Sequence, residues 1–157
     1  MPAGWVNAVF IAGLVLAVLA LLLLAHVFES RANGWRLLAQ TYAHNGGFSG
    51  QRWYFGDVLF KRRGGLLYGW RYGAYGIALV MGASSEGLYM AMIPPFRLGH
   101  PSILVPWVDV NRAEIDRVHK KPSLSLNLGR ESPITVTVRG RLVGQIGKYV
   151  SEARAAA

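Results

Sequence analysis

The densest group of charged side chains in the chain is basic. Lys61, Arg62 and Arg63 are consecutive, and the sequence around them also contains Arg52 and Arg71. Such a group can bind anionic lipid headgroups, because each Lys or Arg near an anionic surface contributes about 1 kcal/mol. The alternative is a hairpin tip whose charges only keep it soluble. Both interpretations stay open, and Lys61, Arg62, Arg63 and Arg71 are the candidate lipid-binding or partner-binding residues.

Residues that commonly carry catalysis are present but scattered. The chain has no cysteine, and the histidines at positions 44, 100 and 119 do not have metal-binding spacing. Segment 82–87 lacks the G-x-S-x-G pattern of a nucleophile elbow. Leu142 stands where a phosphate-binding loop needs glycine. We therefore expect no enzymatic activity, no catalytic residue, no metal and no cofactor.

Alternating aromatic side chains form a second candidate surface. Tyr68, Trp70 and Tyr72 lie on one face of a segment with the alternation of a strand. They could stack on nucleic-acid bases, but packing over glycines in a small barrel or contact with a protein partner explains them better. We expect a partner face here and no nucleic-acid ligand.

An apolar segment, residues 6–28, dominates the N-terminal part of the chain. No polar side chain lies between Asn7 and His26. A helix of this length spans roughly 35 Å, about the hydrocarbon thickness of a bilayer, and it satisfies its own backbone hydrogen bonds. The leader has no basic residue and the run is too long for a signal peptide, which favours a retained anchor. Trp5 and Phe28 are the expected interfacial anchors.

His26 lies near the end of this segment. It could ligate haem or chlorophyll, but antenna-type polypeptides carry a small residue four positions earlier, where this chain has Leu22. A histidine that reaches the membrane interface is the favoured interpretation.

The charge distribution predicts an orientation for the anchor. All 17 Lys and Arg residues follow position 30. Because positive charge stays on the cytoplasmic side, we expect an inner (cytoplasmic) membrane protein with its N-terminus outside and its domain in the cytoplasm. The formal net charge of +9 then favours anionic lipid over nucleic acid as the partner of a domain tied to a bilayer.

Residues 29–45 predict a juxtamembrane amphipathic helix. Asn33 is a candidate N-cap, and Trp35, Leu38 and Tyr42 share one face. The helix either continues the anchor or bends at Gly34. Its apolar face either packs on the following domain or lies on the headgroups, and in the second case Trp35 is a third interfacial anchor.

From Gln51 onward the pattern indicates strands. We expect about seven short strands at regular spacing, with kinks at Pro106 and Asn111, which favours a small barrel or sandwich over a parallel sheet. A C-terminal helix follows, and it can cover the open end of a barrel. Its apolar stripe consists of Leu142, Val143, Ile146, Tyr149 and Val150.

Short motifs support this order of elements. Residues 87–90 (GLYM) and 103–110 (ILVPWVDV) are similar to the "GLYL … hPhxxI" passage of bacterial PH-like membrane proteins, and residues 34–39 (GWRLLA) to the GWxxLA opening of related single-pass proteins. Over roughly residues 34–152 the chain resembles an uncharacterised bacterial single-pass membrane protein with a PH-like (GRAM-like) domain. The resemblance implies an α+β fold, with one transmembrane helix and a small PH-like antiparallel β-barrel capped by a C-terminal helix. It also implies a binding or scaffolding module.

These features predict four segments: a flank (1–5), a transmembrane helix (6–28), a juxtamembrane helix (29–45) and a PH-like β-domain with its C-terminal helix (46–157). The first functional hypothesis is an accessory or scaffolding subunit of a larger inner-membrane complex, respiratory, photosynthetic or secretory. Such a subunit would contact other integral membrane subunits and brace the cytoplasmic face of the complex. The alternative is a free membrane-anchored PH-like domain that binds anionic lipid headgroups.

Overall fold

The computed structural model describes residues 3–32, 34–54, 58–62, 72–74, 78–118, 121–129 and 134–155. In chain order its elements are α1 (Ala3–Ala32), α2 (Trp35–Tyr42), β1 (Gln51–Tyr54), β2 (Val58–Arg62), β3 (Tyr72–Ala74), β4 (Leu79–Ala83), β5 (Gly87–Met92), β6 (Ile103–Pro106), a 3-10 helix (Trp107–Asp109), β7 (Val110–Val118), β8 (Lys121–Leu128), β9 (Ile134–Arg139) and α3 (Leu142–Ala155).

The strands form two antiparallel sheets, in the orders β1-β4-β5-β6 and β3-β2-β9-β8-β7. This confirms an α+β fold with antiparallel sheets between an N-terminal apolar helix and a C-terminal helix. Within the described residues the sheets do not close into the expected barrel. The strands β1 and β2 within residues 51–62 belong to different sheets.

The chain changes sheets a second time at Pro106. Proline cannot donate to the strand ladder, so β6 ends there and the 3-10 helix leads into β7 of the other sheet. The register of β7 against β8 shifts between Val110 and Arg112, as a β-bulge does. Both kinks expected near Pro106 and Asn111 are therefore confirmed.

One hydrophobic core lies between these elements and takes side chains from both sheets, α2 and α3. The alternating patterns of β8 and β9 predict its composition well: Leu124, Leu126, Leu128, Ile134, Val136 and Val138 are all buried. Their polar neighbours pair across the strands, with Ser125 and Thr137 hydroxyl oxygens 3.0 Å apart. The apolar stripe of α3 is also confirmed, because Leu142, Val143, Ile146 and Val150 pack in the same core.

A second, smaller cluster covers the other face of β5. Tyr89 and Ala91 point away from the core and are buried by Phe48 from the segment before β1. The Phe48 and Tyr89 rings are stacked with centroids 4.4 Å apart. A Cβ at position 82 would lie 2.5 Å from Cε1 of Phe48, so only glycine allows this approach. Strand β5 is consequently buried on both faces.

Helix α1 has the length and composition of a membrane span. Residues Asn7–Ala25 have a mean hydropathy of 3.1, and none of this window is buried inside the protein. Its large apolar side chains, such as Phe10, Leu16 and Leu21, are exposed. This agrees with the expected position of the span.

Candidate functional site

The connection between α1 and α2 is short and has a defined conformation. Gly34 lies two residues after Ala32 in the left-handed region, with φ 97°. Its carbonyl accepts hydrogen bonds from the amides of Leu37 and Leu38, at 3.1 and 3.2 Å. A Cβ at position 34 would lie 2.8 Å from Cδ1 of Ile134. Of the two alternatives for this connection, the structure has the bend at Gly34, and α1 and α2 are separate helices.

Gly34 also replaces the N-cap expected at Asn33. The N-cap position of α2 is Gly34, and it makes no side-chain capping bond. Asn33 itself lies outside the described residues.

Trp35 joins three parts of the molecule. Its side chain is 0% exposed, and its indole N–H donates to the carbonyl of Pro101 at 3.0 Å. Its ring lies 5.5 Å from that of Phe60 and edge-on to the His100 imidazole at 5.2 Å, measured between centroids. Trp35 is therefore not a headgroup anchor. Burying the indole against the domain removes more apolar surface from water than an interfacial position would.

The other apolar residues of α2 also pack on the β-domain and do not lie on the headgroups. Leu38 and Ala39 are buried in the core and Tyr42 packs against it. The amphipathic face of α2 thus belongs to the β-domain, because the nearest apolar surface available to it is the core beside β6.

The end of β2 with Lys61 and Arg62 lies beside this connection. In the register of β2 with β9, Arg62 is opposite Ile134, whose side chain packs against Gly34. Lys61 is exposed. Two of the candidate basic residues therefore lie next to the point where the apolar helix enters the domain. We call Gly34, Trp35, Phe60, Lys61, Arg62 and Ile134 the anchor junction.

Among the other members of the basic group, Arg52 lies apart from Lys61 and Arg62. Arg52 is on β1 in the other sheet, where its guanidinium hydrogen-bonds the Phe48 carbonyl and lies over the Phe48 and Tyr89 rings, 5.6 and 5.8 Å from their centroids. It leaves the group because the chain changes sheets between β1 and β2. Arg63 and Arg71 lie outside the described residues.

Several other candidates cannot be placed by side chain. Trp5, His26 and Phe28 are in α1 and Tyr72 begins β3 opposite Lys61, but their side chains lie outside the described part of the structure. Tyr68, Trp70 and His119 lie outside the described residues altogether. Among the residues that are described, no group of three or more His, Cys, Asp or Glu side chains could hold a metal ion.

The loop after β5 also reaches the anchor junction, which the sequence did not indicate. His100 contacts Trp35 at one end of this loop, and its Nδ1 lies 3.3 Å from the carbonyl oxygen of Leu98. The Arg97 Nε–H donates to the Met92 carbonyl at 3.0 Å, and the backbone N–H of His100 donates to the Arg97 carbonyl at 2.9 Å. These bonds give residues 97–100 a fixed conformation. The sequence of residues 94–99, Pro-Pro-Phe-Arg-Leu-Gly, has no pattern that predicts a contact between this loop and Trp35.

A concave groove forms a second candidate surface, again without a clear signal in the sequence. It has a volume of about 520 Å³ and lies between the β4–β5 turn, the 3-10 helix and the C-terminal half of α3. The Trp107 indole N–H donates to the Ser84 carbonyl at 2.8 Å, and its ring is stacked with Tyr149 at 6.3 Å between centroids. The groove lining is mainly apolar: Ser85, Glu86, Pro106, Trp107, Val108, Val110, Val150, Ala153 and Arg154.

In comparisons with known proteins, the chain matches no protein-family model and no curated protein at a significant level. The junction places the exposed Lys61 beside the end of an apolar helix, which suits a membrane surface. The groove combines apolar walls with a charged rim, which suits a protein side chain or helix.

Proposed function

We propose that this chain is a non-enzymatic accessory subunit of a larger inner-membrane complex, respiratory, photosynthetic or secretory. In this proposal α1 spans the membrane with its N-terminus outside, and the PH-like domain braces the cytoplasmic face of the complex. The observation that carries it is the burial of Trp35, the first residue of α2, in the core of the domain.

Burial of Trp35 means that little free chain separates the apolar helix from the domain. Only positions 33 and 34 lie between α1 and α2. A flexible tether would let a domain search for distant ligands, whereas a short connection holds it at a nearly constant distance from the bilayer. Constant placement beside neighbouring subunits is what a bracing role requires.

The groove supplies a surface for a neighbouring subunit. Val108 on its rim is 76% exposed, and it adjoins the stacked Trp107 and Tyr149. Exposed apolar and aromatic side chains around a concavity are typical of the centre of a protein interface. In the proposal this groove receives an apolar side chain of another membrane subunit.

Extraction of the native membrane in mild detergent followed by native electrophoresis tests this function. We expect the wild-type chain to migrate with a large complex and Val108→Asp to migrate apart from it. Ile115→Asp is the matched control, because Ile115 is 74% exposed on β7, away from the residues that line the groove. A wild-type chain that migrates alone would contradict the proposal.

The second candidate function, binding of anionic lipid headgroups, is favoured by a specific observation. Arg62 is opposite Ile134, and Ile134 contacts Gly34 beside the end of α1. The backbone of Lys61 and Arg62 thus lies beside the end of α1, where lipid headgroups would be if α1 spans a bilayer. At about 1 kcal/mol for each cation, this pair would recruit anionic lipid around the anchor.

Native mass spectrometry of the full chain from phosphatidylglycerol-containing nanodiscs tests this second function. We expect retained phosphatidylglycerol on the wild type and less on the double variant Lys61→Glu, Arg62→Glu. The control is Arg141→Glu, Lys148→Glu, which changes the charge equally at two exposed residues, one just before α3 and one on it. Equal loss in both variants would mean that net charge, and not the anchor junction, retains the lipid.

A further inference from the structure

The loop of residues 94–99 carries an exposed apolar side chain close to the anchor junction. Leu98 is 56% exposed, and Arg97 beside it is also exposed. The backbone is held on both sides of Leu98. Phe96 packs against the core, the Arg97 Nε–H binds the Met92 carbonyl, and Gly99 adopts a left-handed conformation with φ 75°. The loop therefore presents Leu98 in a fixed position and does not fold it inward.

The position of this loop relative to α1 follows from Trp35. Helix α1 ends at Ala32, and Trp35 begins α2 three residues later. The Trp35 indole holds the other end of the loop through its hydrogen bond to Pro101 and its contact with His100. His100 in turn lies 3.3 Å from the carbonyl oxygen of Leu98. Leu98 is thus connected to the end of α1 through two side-chain contacts.

The length of α1 beyond its apolar window gives the expected distance between the hydrocarbon core of the bilayer and the start of α2. Residues 26–32 extend the helix beyond the apolar window Asn7–Ala25, by roughly 10 Å at a rise of about 1.5 Å per residue. The headgroup region on each side of a bilayer is roughly 5–8 Å thick. The start of α2 then lies near the outer edge of the headgroups, within reach of side chains that project back toward the bilayer.

We propose that Leu98 inserts into the headgroup region of the bilayer that α1 spans, while Arg97 contacts lipid phosphate. The occupant of this exposed surface is the lipid interface itself. An apolar side chain next to a cation suits that layer, because the first leaves water and the second pairs with anionic oxygen. This inference rests on the membrane anchoring in the proposed function, and it adds a second point of contact that fixes the tilt of the domain.

The chain contains no cysteine, so single-cysteine variants can be labelled without removing native residues. The experiment uses the full chain in vesicles of phosphatidylcholine and phosphatidylglycerol, with the environment-sensitive dye NBD on Leu98→Cys. We expect a blue-shifted emission that is quenched more by a lipid spin label near the headgroup than by one near the acyl-chain end. Ile115→Cys, at an apolar position on β7 that is 74% exposed, should show water-like emission and little quenching.

The Leu16→Cys variant tests membrane anchoring by α1 separately from insertion of Leu98. Leu16 is an exposed residue in the middle of the apolar window, and its label should be quenched most by the deep spin label. If Leu16→Cys is quenched but Leu98→Cys behaves like Ile115→Cys, the loop does not insert and this inference is overturned while anchoring stands. If Leu16→Cys is not quenched, the anchoring and the inference both fail.

Discussion

Trp35 shows how one side chain determines where the apolar helix meets the domain. It contacts Phe60 and His100 and donates to the Pro101 carbonyl. Trp35→Ala should remove these contacts and lower the free energy of unfolding by about 3–5 kcal/mol. Pulse proteolysis in urea, with the full chain in detergent, measures this change. The exposed neighbour Arg36 is the control, and Arg36→Ala should change stability by no more than about 0.5 kcal/mol.

Substitution by alanine should lower the free energy of unfolding at Gly82 and raise it at Gly144. Gly82→Ala places a Cβ 2.5 Å from Cε1 of Phe48 and 3.0 Å from the Gln51 carbonyl oxygen, so the stacked Phe48 and Tyr89 rings must separate. Gly144→Ala meets no atom within 4 Å and lies in α3. We expect destabilisation by about 1–3 kcal/mol in the first case. In the second we expect stabilisation by about 1 kcal/mol.

Pulse proteolysis in urea measures the change in the free energy of unfolding for both substitutions. Because the added atoms are identical, stabilisation by both substitutions would show that backbone entropy outweighs the contacts around Phe48. That outcome would remove the packing explanation for the second cluster.

At the scale of elements, α3 depends on docking for its stability. It contains Gly144 and Gly147, which each lower helix propensity by about 1 kcal/mol, so the isolated helix would be marginal. Ile146, 0% exposed, packs it into the core. Ile146→Ala should therefore lower the free energy of unfolding by about 2–5 kcal/mol, while Lys148→Ala on the exposed face should have little effect. Equal, small shifts in urea unfolding would mean that the stripe carries no packing energy.

Helix α2 also changes how the chain divides into segments. The expected domain began at residue 46, but Trp35, Leu38 and Ala39 supply part of its core. A helix of eight residues is too short to be stable alone in water. Its position in the core, and not on the headgroups, is consistent with that physical limit.

For the whole molecule, the orientation predicted by the basic residues can be measured directly. All 17 Lys and Arg residues lie after position 30, so the positive-inside rule predicts a cytoplasmic domain. Protease added to intact spheroplasts should leave residues 34–157 uncut, and the same protease should degrade them after lysis. Cleavage before lysis would reverse the predicted topology, and with it the proposed bracing of a cytoplasmic face.

The sequence by itself determined the features that depend on local pattern. The long apolar run of α1, the alternation in β8 and β9 and the stripe of α3 are all readable, because each is set by a side-chain period along one element. The expected α+β class follows from these elements.

Only the tertiary structure decided which elements share a sheet and which residues meet. The division of 51–61 between two sheets separates Arg52 from Lys61 and Arg62, and no periodicity indicates it. The packing of Trp35 against Phe60 and His100 joins residues far apart in the chain. Such contacts depend on the shape that several elements leave between them. The anchor junction could therefore be located only once α2, β2 and the loop before β6 had been placed together.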